Sequence, residues 1–339
     1  MTLIASNPTL IDISRQSLPD GSLERQMVDT ISKVNEMFLE ATVLEGNSPT
    51  GSTVTEITSL PTVSFSAINQ GVATSKGTSK QRHVTAGIIE GNNQVDAKLV
   101  KLNGNTEAYL RSQDLLYAQA MSEKAVEEVV SGDIGVDPKG FDGFFKFYNA
   151  ISTTKTNPGY NVISAGGSST DNYSMLWVTW SPETAYMFHP KGLQAGFQRD
   201  YLGKIRVTDA DGNPYIAHCS NFQWALGLCI ANWKYCGRIA NIDASDLATY
   251  RSSSDSSPDL LAYMTKAIYR IPKKNMGRTV FYAPIEVMEM LENMIEDKAT
   301  AVRVQDIMNP FGGMQRTLVY KGIPIRQLDA LVLETSAVS

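Results

Sequence analysis

Histidine, cysteine and charge are all scarce in this chain. Its 339 residues include only three histidines, His83, His189 and His218, none at the spacing of a zinc site. His218 precedes Cys219, but adjacent strand residues point to opposite faces, so the pair is not expected to converge on a metal. Asp209, Asp211 and Asn213 resemble the start of a calcium loop. Glycine, however, falls at the fourth position (Gly212) and Ser220 stands at the twelfth, where an EF-hand has Gly at six and Glu at twelve. Asp211-Gly212 reads instead as a hairpin turn. The motifs GxxxxGK[ST], GxGxxG and GxSxG do not occur, and AGGSST at 165–170 lacks the lysine of a phosphate cradle. No metal, cofactor or catalytic site is expected.

The three cysteines, Cys219, Cys229 and Cys236, are odd in number and contain no CxxC, so they read as reduced, buried thiols of a cytosolic protein. No stretch approaches the ~20 apolar residues of a membrane span. The opening MTLIASNPTLIDISRQ has neither the basic start nor the continuous apolar run of a signal peptide. Charged residues make up 19% of the chain, against roughly 25% in soluble domains. Ser, Thr, Asn and Gln fill the gap, which suits a surface largely consumed by contacts. A net charge of −5 argues against a nucleic-acid grip, because phosphate neutralisation dominates such affinity. A mildly acidic wall can still enclose DNA without holding it.

What is present is a 42% apolar chain long enough for about two globular units. Residues 1–21, with Asn7, Pro8, Pro19 and Gly21, read as an extended arm. A helix is expected from Ser22 to about Thr42, because Leu23, Met27, Ile31, Val34 and Phe38 form one apolar stripe. That stripe needs a docking partner. Residues 45–100 open on the turn-rich EGNSPTGS and carry two β-branched runs, STVTEITSLPTVSFSAI and HVTAGIIEGNNQVDAKLV, around the polar, basic NQGVATSKGTSKQR. The expectation is a long two-stranded excursion that leans on another surface, since an isolated hairpin is marginal in water.

Residues 106–130 form the clearest helix, without Gly or Pro and rich in Ala, Leu, Glu and Gln, with Asn105 as N-cap and Gly132 as terminator. It spans about 37 Å. Leu115, Ala118, Ala125 and Val129 share a face, flanked by Leu116 and Ala120. Beyond it, SMLWVTWSPETAYMF starts as a strand and is expected to turn at Ser181-Pro182 into a short helix. The stretch 201–243 reads as several long strands with a turn at DADGNP, and SPDLLAYMTKAIYRI and APIEVMEMLENMIEDKA as helices with Pro258 and Pro284 in their first turns. TLVYKGIPIRQLDALVL reads as two strands around Gly322. Glu286, Glu289, Glu292 and Glu296 are the solvated face opposite Val287, Met290, Leu291 and Met294, not paired acids.

Two basic clusters stand out: Lys76, Lys80 and Arg82 at the expected tip of the excursion, and Arg270, Lys273, Lys274 and Arg278 between two helices. Each suits either docking onto acidic groups of neighbours or an ordinary solvated loop, and docking is favoured at the excursion tip, whose strands need a partner in any case.

In order, arm, long hairpin, long helix and mixed body resemble the HK97-like capsid fold of tailed phages and encapsulins. VLEGNSPTGSTVTEITSLPTVSFSAINQGVATSKGTS resembles the extended-loop region of a podophage-type branch, with its GN-PTG opening and LPTV-W/F strand. LNGNTEAYLRSQD resembles the start of the family's spine helix, and WVTWSPETAYMFHPKG (177–192) its W-P-T…YPKG stretch. LGLCIANWKYCGRIANID resembles the RIANID strand, and KAIYRIPKKNMGRTVFYAP the helix-loop-strand ending in GR-VFY. Together these strings cover most of residues 40–335; Phe65 stands where Trp is usual and His189 where Tyr is usual.

The resemblance implies an α+β fold: an HK97-like capsid fold with an N-terminal arm (1–44), an extended β-hairpin loop over an adjacent subunit (45–100) and a peripheral domain with its spine helix (101–150). It assigns 151–325 to an axial domain plus peripheral-sheet strands, and 326–339 to a C-terminal strand. It implies a non-enzymatic major capsid protein that assembles with itself, through pentamers and hexamers, into an icosahedral shell around phage double-stranded DNA. Scaffolding, portal and decoration proteins are the further partners it allows, with packaged DNA in loose contact and no membrane. Assembly would take place in the host bacterial cytoplasm, ending in the virion capsid. The inter-subunit contacts expected are Leu23, Met27, Ile31, Val34, Phe38, Lys76, Lys80, Arg82, Lys273 and Lys274. An encapsulin-type compartment shell and a β-rich phage tail or receptor-binding protein are the alternatives. Some relatives cross-link through Lys–Asn isopeptide bonds; no acceptor or catalytic Glu is identifiable here, and no cross-link is expected.

Overall fold

The computed structural model describes residues 36–102, 106–168, 170–209, 211–249, 259–273, 275–298, 302–308, 314–334 and 336–339. Helix α1 (Met37–Glu40) precedes β1 (Val43–Glu45), β2 (Gly51–Ser59), β3 (Thr78–Thr85) and β4 (Gly87–Asp96). Next come α2 (Ala97–Leu102), α3 (Thr106–Ser131), α4 (Phe144–Phe147), β5 (Val162–Ser164), β6 (Asn172–Trp180), β7 (Ala185–His189), β8 (Gln198–Thr208), β9 (Pro214–Ile230) and β10 (Cys236–Asp243). The chain continues through α5 (Ala244–Thr249), α6 (Leu260–Arg270), β11 (Arg278–Ala283), α7 (Ile285–Lys298), β12 (Val302–Met308), β13 (Met314–Tyr320) and β14 (Ile323–Gln327). It divides into two compact units. The larger contains Val34–Gly87, Val126–Leu193 and Leu226–Ser339, and the smaller contains Ile88–Ala125 and Gln194–Ala225.

The larger unit is built on β6. Antiparallel partners β10 and β11 flank it, β14 runs parallel to β11, and β13 and β12 extend that side in antiparallel steps. On the other side β7 joins β6, carrying β1 in parallel and the last residues of β9 antiparallel. Every residue of β6 from Ser174 to Trp180 is buried, so the strand shows no inside–outside alternation, as expected of one covered on both faces. Helices α5, α6 and α7 supply one cover. In α6, Leu260, Met264, Ala267 and Ile268 recur at helical spacing and pack with Met175, Trp177, Ile239 and Phe281. Asp259 caps this helix, accepting the Ala262 amide at 3.1 Å. Trp180 donates its indole N–H to the Tyr282 hydroxyl at 2.8 Å, which satisfies both polar atoms in the core.

The smaller unit holds the β8/β9 hairpin, paired from Gln198↔Gln223 to Thr208↔Pro214. Its turn is the expected one: Gly212 has φ +84°, and the Asp209 carboxylate accepts the Asp211 and Asn213 amides at 3.1 and 2.7 Å. Phe222 stacks between Tyr117 of α3 and Phe197, at 5.1 and 5.5 Å. Val95, Leu99, Val100, Tyr109 and Leu110 form a small core beside them.

Most sequence expectations hold. Helix α3 occupies 106–131 and stops where the Gly132 amide closes onto Glu128, in a space that admits no side chain because a Cβ would meet the Phe141 and Glu128 carbonyls. Leu115 and Leu116, expected on its packed face, are exposed; Met121, Ala125, Val126, Val129 and Val130 are the buried positions. Lys321 and Gly322, both at positive φ, make the turn between β13 and β14. In the carboxyl-terminal stretch expected as a strand, the strand ends at Gln327.

Two expectations are corrected. Ser181-Pro182 leads not into a helix but into strand β7, whose Ala185 pairs with Trp180. The strand returning to β2 is Thr78–Thr85, whose first five residues the sequence assigns to the polar tip, and it ends at Thr85 instead of running over 83–100. Cross-strand pairing with β2 overrides the weak propensity of TSKQRH, while residues 87–96 form β4 and 97–102 a helix. Of the helix expected over 22–42, residues 37–40 are helical and β1 begins at Val43; its stripe positions Leu23, Met27, Ile31 and Val34 lie outside the described residues.

Candidate interaction surface

The feature with most unsatisfied apolar surface is the β2/β3 hairpin and the loop it carries. Its root is tightly built. Asn47 clamps Thr53 with both amide atoms, donating to its carbonyl at 2.8 Å and accepting its N–H at 2.7 Å. Gly51 passes so close to Val84 that a Cβ would collide with the Val84 carbonyl. The GN-PTG string is therefore the hairpin's fixed junction with the body. Val84 packs with Tyr186, Phe188 and Cys229, with Leu44 and Val54 against them. The Ser52 and Tyr186 hydroxyls lie 3.3 Å apart. Burial pushes the Tyr186 phenol up to about 12 and raises the Cys229 thiol.

Past this root, β2 and β3 continue to Ser59↔Thr78, and residues 60–77 carry no regular element. The loop is braced by its own polar groups. Ser75 donates to the Thr62 carbonyl at 2.7 Å, and Ser66 to that of Gln70 at 2.9 Å. Its apolar side chains are not covered: Ile57, Leu60, Val63, Phe65 and Ile68 are all at least 75% exposed. Between Glu56 and Glu90 the sequence has no acid, only Lys76, Lys80 and Arg82. The surface is thus apolar with a positive bias. Contiguous exposed apolar patches of this kind mark interaction sites.

The expected contact residues divide. Lys76 and Lys80 are exposed on the loop and on β3. Arg82 sits near the root, not the tip. It pairs with Glu56 at 2.9 Å, donates to the Ile230 carbonyl, and lies 4.8 Å over the Phe147 ring. Phe38 is half-buried next to the fully buried Met37. Lys273 is exposed between α6 and β11, and Lys274 lies outside the described residues. Of their companions, Arg270 donates to the Tyr160 carbonyl and Arg278 pairs with Glu40 at 2.5 Å. The residues missed at the sequence level are Leu60, Val63, Phe65 and Ile68. Their string, LPTVSFSAI, reads as the end of a strand in an excursion expected to lean on another surface, which does not single out these four side chains; the strand stops at Ser59.

A second apolar surface belongs to the smaller unit. Leu110, Leu115 and Ala118 of α3 face Phe197 and Tyr201 across a groove of about 560 Å³. At its rim Arg199 pairs with Asp114 at 2.6 Å. Catalytic and metal chemistry have no comparable support. Among the described residues no three His, Cys, Asp or Glu side chains are placed to hold a metal ion. The three thiols are free and buried, with Cys236 pushed up to about 12 by burial. His218 is tied to Tyr201 at 2.6 Å, and burial lowers its pKa. Among the described residues no helix is long and apolar enough to cross a membrane.

The fold defines the class: an HK97-like capsid subunit, the shell-forming protein of a tailed bacteriophage. The chain belongs to the family of major capsid protein GP7, whose model matches residues 19–339. The structure of bacteriophage epsilon15 is similar over 100% of this chain and 99% of its own, with 25% identity and a TM-score of 0.74. The bacteriophage JBD30 capsid covers 92% of this chain and 98% of its own at 10% identity and a TM-score of 0.49. An encapsulin from Synechococcus elongatus is more distant, at 7% identity and a TM-score of 0.41 over 65% of this chain and 93% of its own. No curated protein sequence matches.

Proposed function

We propose that the shell is assembled by exchange of the β2/β3 hairpin and its loop between neighbouring copies within pentamers and hexamers. The observation that carries this reading is the loop's uncovered apolar surface, Leu60 to Ile68, on a hairpin whose root is fixed to its own body. An extended segment of this kind buries little against itself and needs another surface to lie on. The groove between α3 and Phe197 of an adjacent copy offers apolar cover of matching character.

In this reading residues 1–44 are the N-terminal arm and 45–100 the extended-loop region. Helix α3 is the spine of a peripheral domain, and most of 151–325 forms the axial domain with further peripheral strands. Lys76, Lys80 and Lys273 contact acidic groups of neighbours. The protein acts by assembly alone, without catalysis. Its net charge of −5 limits adhesion to the enclosed double-stranded DNA. Scaffolding, portal and decoration proteins dock on the assembled lattice, which forms in the host cytoplasm.

Replacing residues 62–75 by a two-residue turn removes the loop and leaves both strands and the Arg82 anchor in place. The shortened protein is expected to melt like the parent and to give no closed shells by negative-stain electron microscopy and light scattering. Normal shells from it would overturn the docking role.

A further inference from the structure

The string RIANID, residues 238–243, contributes β10 to the sheet, yet two of its side chains point to a different task. Arg238 is 3% exposed. Its guanidinium pairs with Glu334, donates to the Ser174 hydroxyl at 3.0 Å and to the Tyr148 carbonyl at 3.3 Å, and lies 3.9 Å over the Phe145 ring. The Ser174 hydroxyl in turn donates to Glu334 at 2.6 Å. Asn241 sits where the register of β10 against β6 shifts, at φ +60°. Asparagine tolerates that left-handed conformation better than most residues. Its amide is thereby aimed at Val338, donating to the carbonyl at 2.8 Å and accepting the N–H at 2.8 Å. This is the pair of bonds that two opposed residues exchange in an antiparallel ladder, made here by one side chain.

Both contacts hold the same segment. Glu334 also exchanges backbone bonds with Asn172 at 2.8 and 3.4 Å, and the Ser339 carbonyl accepts the Ile151 amide at 3.0 Å. Between these pins the segment buries little: Ser336, Ala337 and Ser339 are exposed, as are Val332 and Leu333 just before it, whereas Leu328 and Leu331 belong to the body. A segment held by polar pins, with few buried apolar contacts and an exposed joint, opens at a lower free energy than the core.

We propose that Glu334 and residues 336–339 belong to a strap that detaches as a unit while the body stays folded, and that Arg238 and Asn241 are its two-point socket. When closed, the strap neutralises the buried Arg238 and fixes the ends of β6 and β10. When open, it leaves the guanidinium beside Phe145 without its carboxylate, held by Ser174 and Tyr148, and the Asn241 amide with the Ser164 hydroxyl at 3.2 Å as its remaining partner, so both can take up another extended segment of the same pattern.

The test is site-resolved hydrogen exchange on the full chain. In the parent, the amides of Ile151, Glu334 and Val338 are expected to share one exchange rate, well above that of Val280 in the centre of the sheet. Asn241→Gly keeps the positive φ and removes the clamp, together with a 3.2 Å bond to the Ser164 hydroxyl that lies outside the strap. It removes the acceptor of the Val338 amide alone, so the diagnostic amides are Ile151 and Glu334, whose own acceptors remain. Both are expected to exchange roughly tenfold faster, the effect of losing two neutral hydrogen bonds, with Val280 unchanged. Glu334→Gln, which keeps the shape and removes the charge, is expected to release Val338 and Ile151 likewise. Faster exchange confined to Val338 in Asn241→Gly, or parental rates for Ile151 equal to that of Val280, would show that no strap exists.

Discussion

Arg82 and Glu56 lie on opposite strands of the β2/β3 hairpin with nitrogen and oxygen 2.9 Å apart, and the same guanidinium donates to the Ile230 carbonyl. The pair therefore joins the hairpin to the sheet as well as strand to strand. Lys80, directly opposite Glu56 in the register, makes no such connection to the sheet. Arg82→Ala is expected to destabilise the larger unit by about 1–3 kcal/mol through the charged hydrogen bonds and the contact with Phe147. Lys80→Ala is expected to stay within about 0.5 kcal/mol of the parent. Urea melts of unassembled protein, with exchange rates of the β2 and β3 amides, compare the two. Equal effects from both substitutions would contradict the anchoring role of Arg82.

Glu40 and Arg326 form a pair with no exposed side-chain surface. Arg326 donates from two nitrogens to one Glu40 oxygen at 3.1 and 2.8 Å and from the third to Thr317 at 2.9 Å, while Arg278 takes the other Glu40 oxygen. Glu40→Gln leaves the buried guanidinium only the more distant Glu36 carboxylate, at 3.5 Å, and is expected to cost about 3 kcal/mol. Glu40→Gln combined with Arg326→Met removes both charges and is expected to recover most of that loss. Denaturant melts of the three proteins decide it. A double variant less stable than the single one would mean that the ion pair contributes more than it costs to bury.

Asp114 gives the opposite lesson. Burial raises its carboxyl pKa by more than the neighbouring Arg199 lowers it, although the two are 2.6 Å apart. A carboxyl whose folded pKa is raised favours the fold in its protonated form. That contribution is complete below the unfolded value of about 4 and disappears as pH rises through the folded one. Asp114→Asn, neutral at every pH, is expected to be at least as stable as the parent at pH 7. The two melting temperatures should converge on acidification. A variant clearly less stable at neutral pH would show that the ion pair outweighs desolvation.

Helix α3 was legible because its composition and its stop, Gly132, are local properties. The hairpin turns at Gly212 and Gly322 were legible for the same reason. The return strand of the β2/β3 hairpin was not, because TSKQRHVT has little strand propensity and is held by register with its partner. Strand β7 was missed because Ser181-Pro182 resembles a helix start and the five residues of the strand are too few, and too uniformly buried, to show a strand period. Arg82 looked like a tip residue beside Lys76 and Lys80; only the fold separates a cation engaged with Ile230 from two that face solvent. Glu40, Arg278 and Arg326 are far apart in sequence, and their convergence is a property of packing. The uncovered loop was legible in part: the sequence points to an excursion leaning on another surface, but LPTVSFSAI reads as its strand, and strand residues give no sign of which side chains stay exposed.

The chain's four tryptophans all fall between residues 177 and 233, and Trp177 and Trp180 are buried at the centre of the larger unit. The loop from 60 to 77 has none, since its exposed aromatic position is Phe65. Intrinsic fluorescence of this protein is therefore blind to the loop and reports on the folded body alone. A single Phe65→Trp substitution would place an emitter at the proposed contact, fully wetted in the free subunit, whose blue shift during assembly would time the burial of the loop separately from any change in the body.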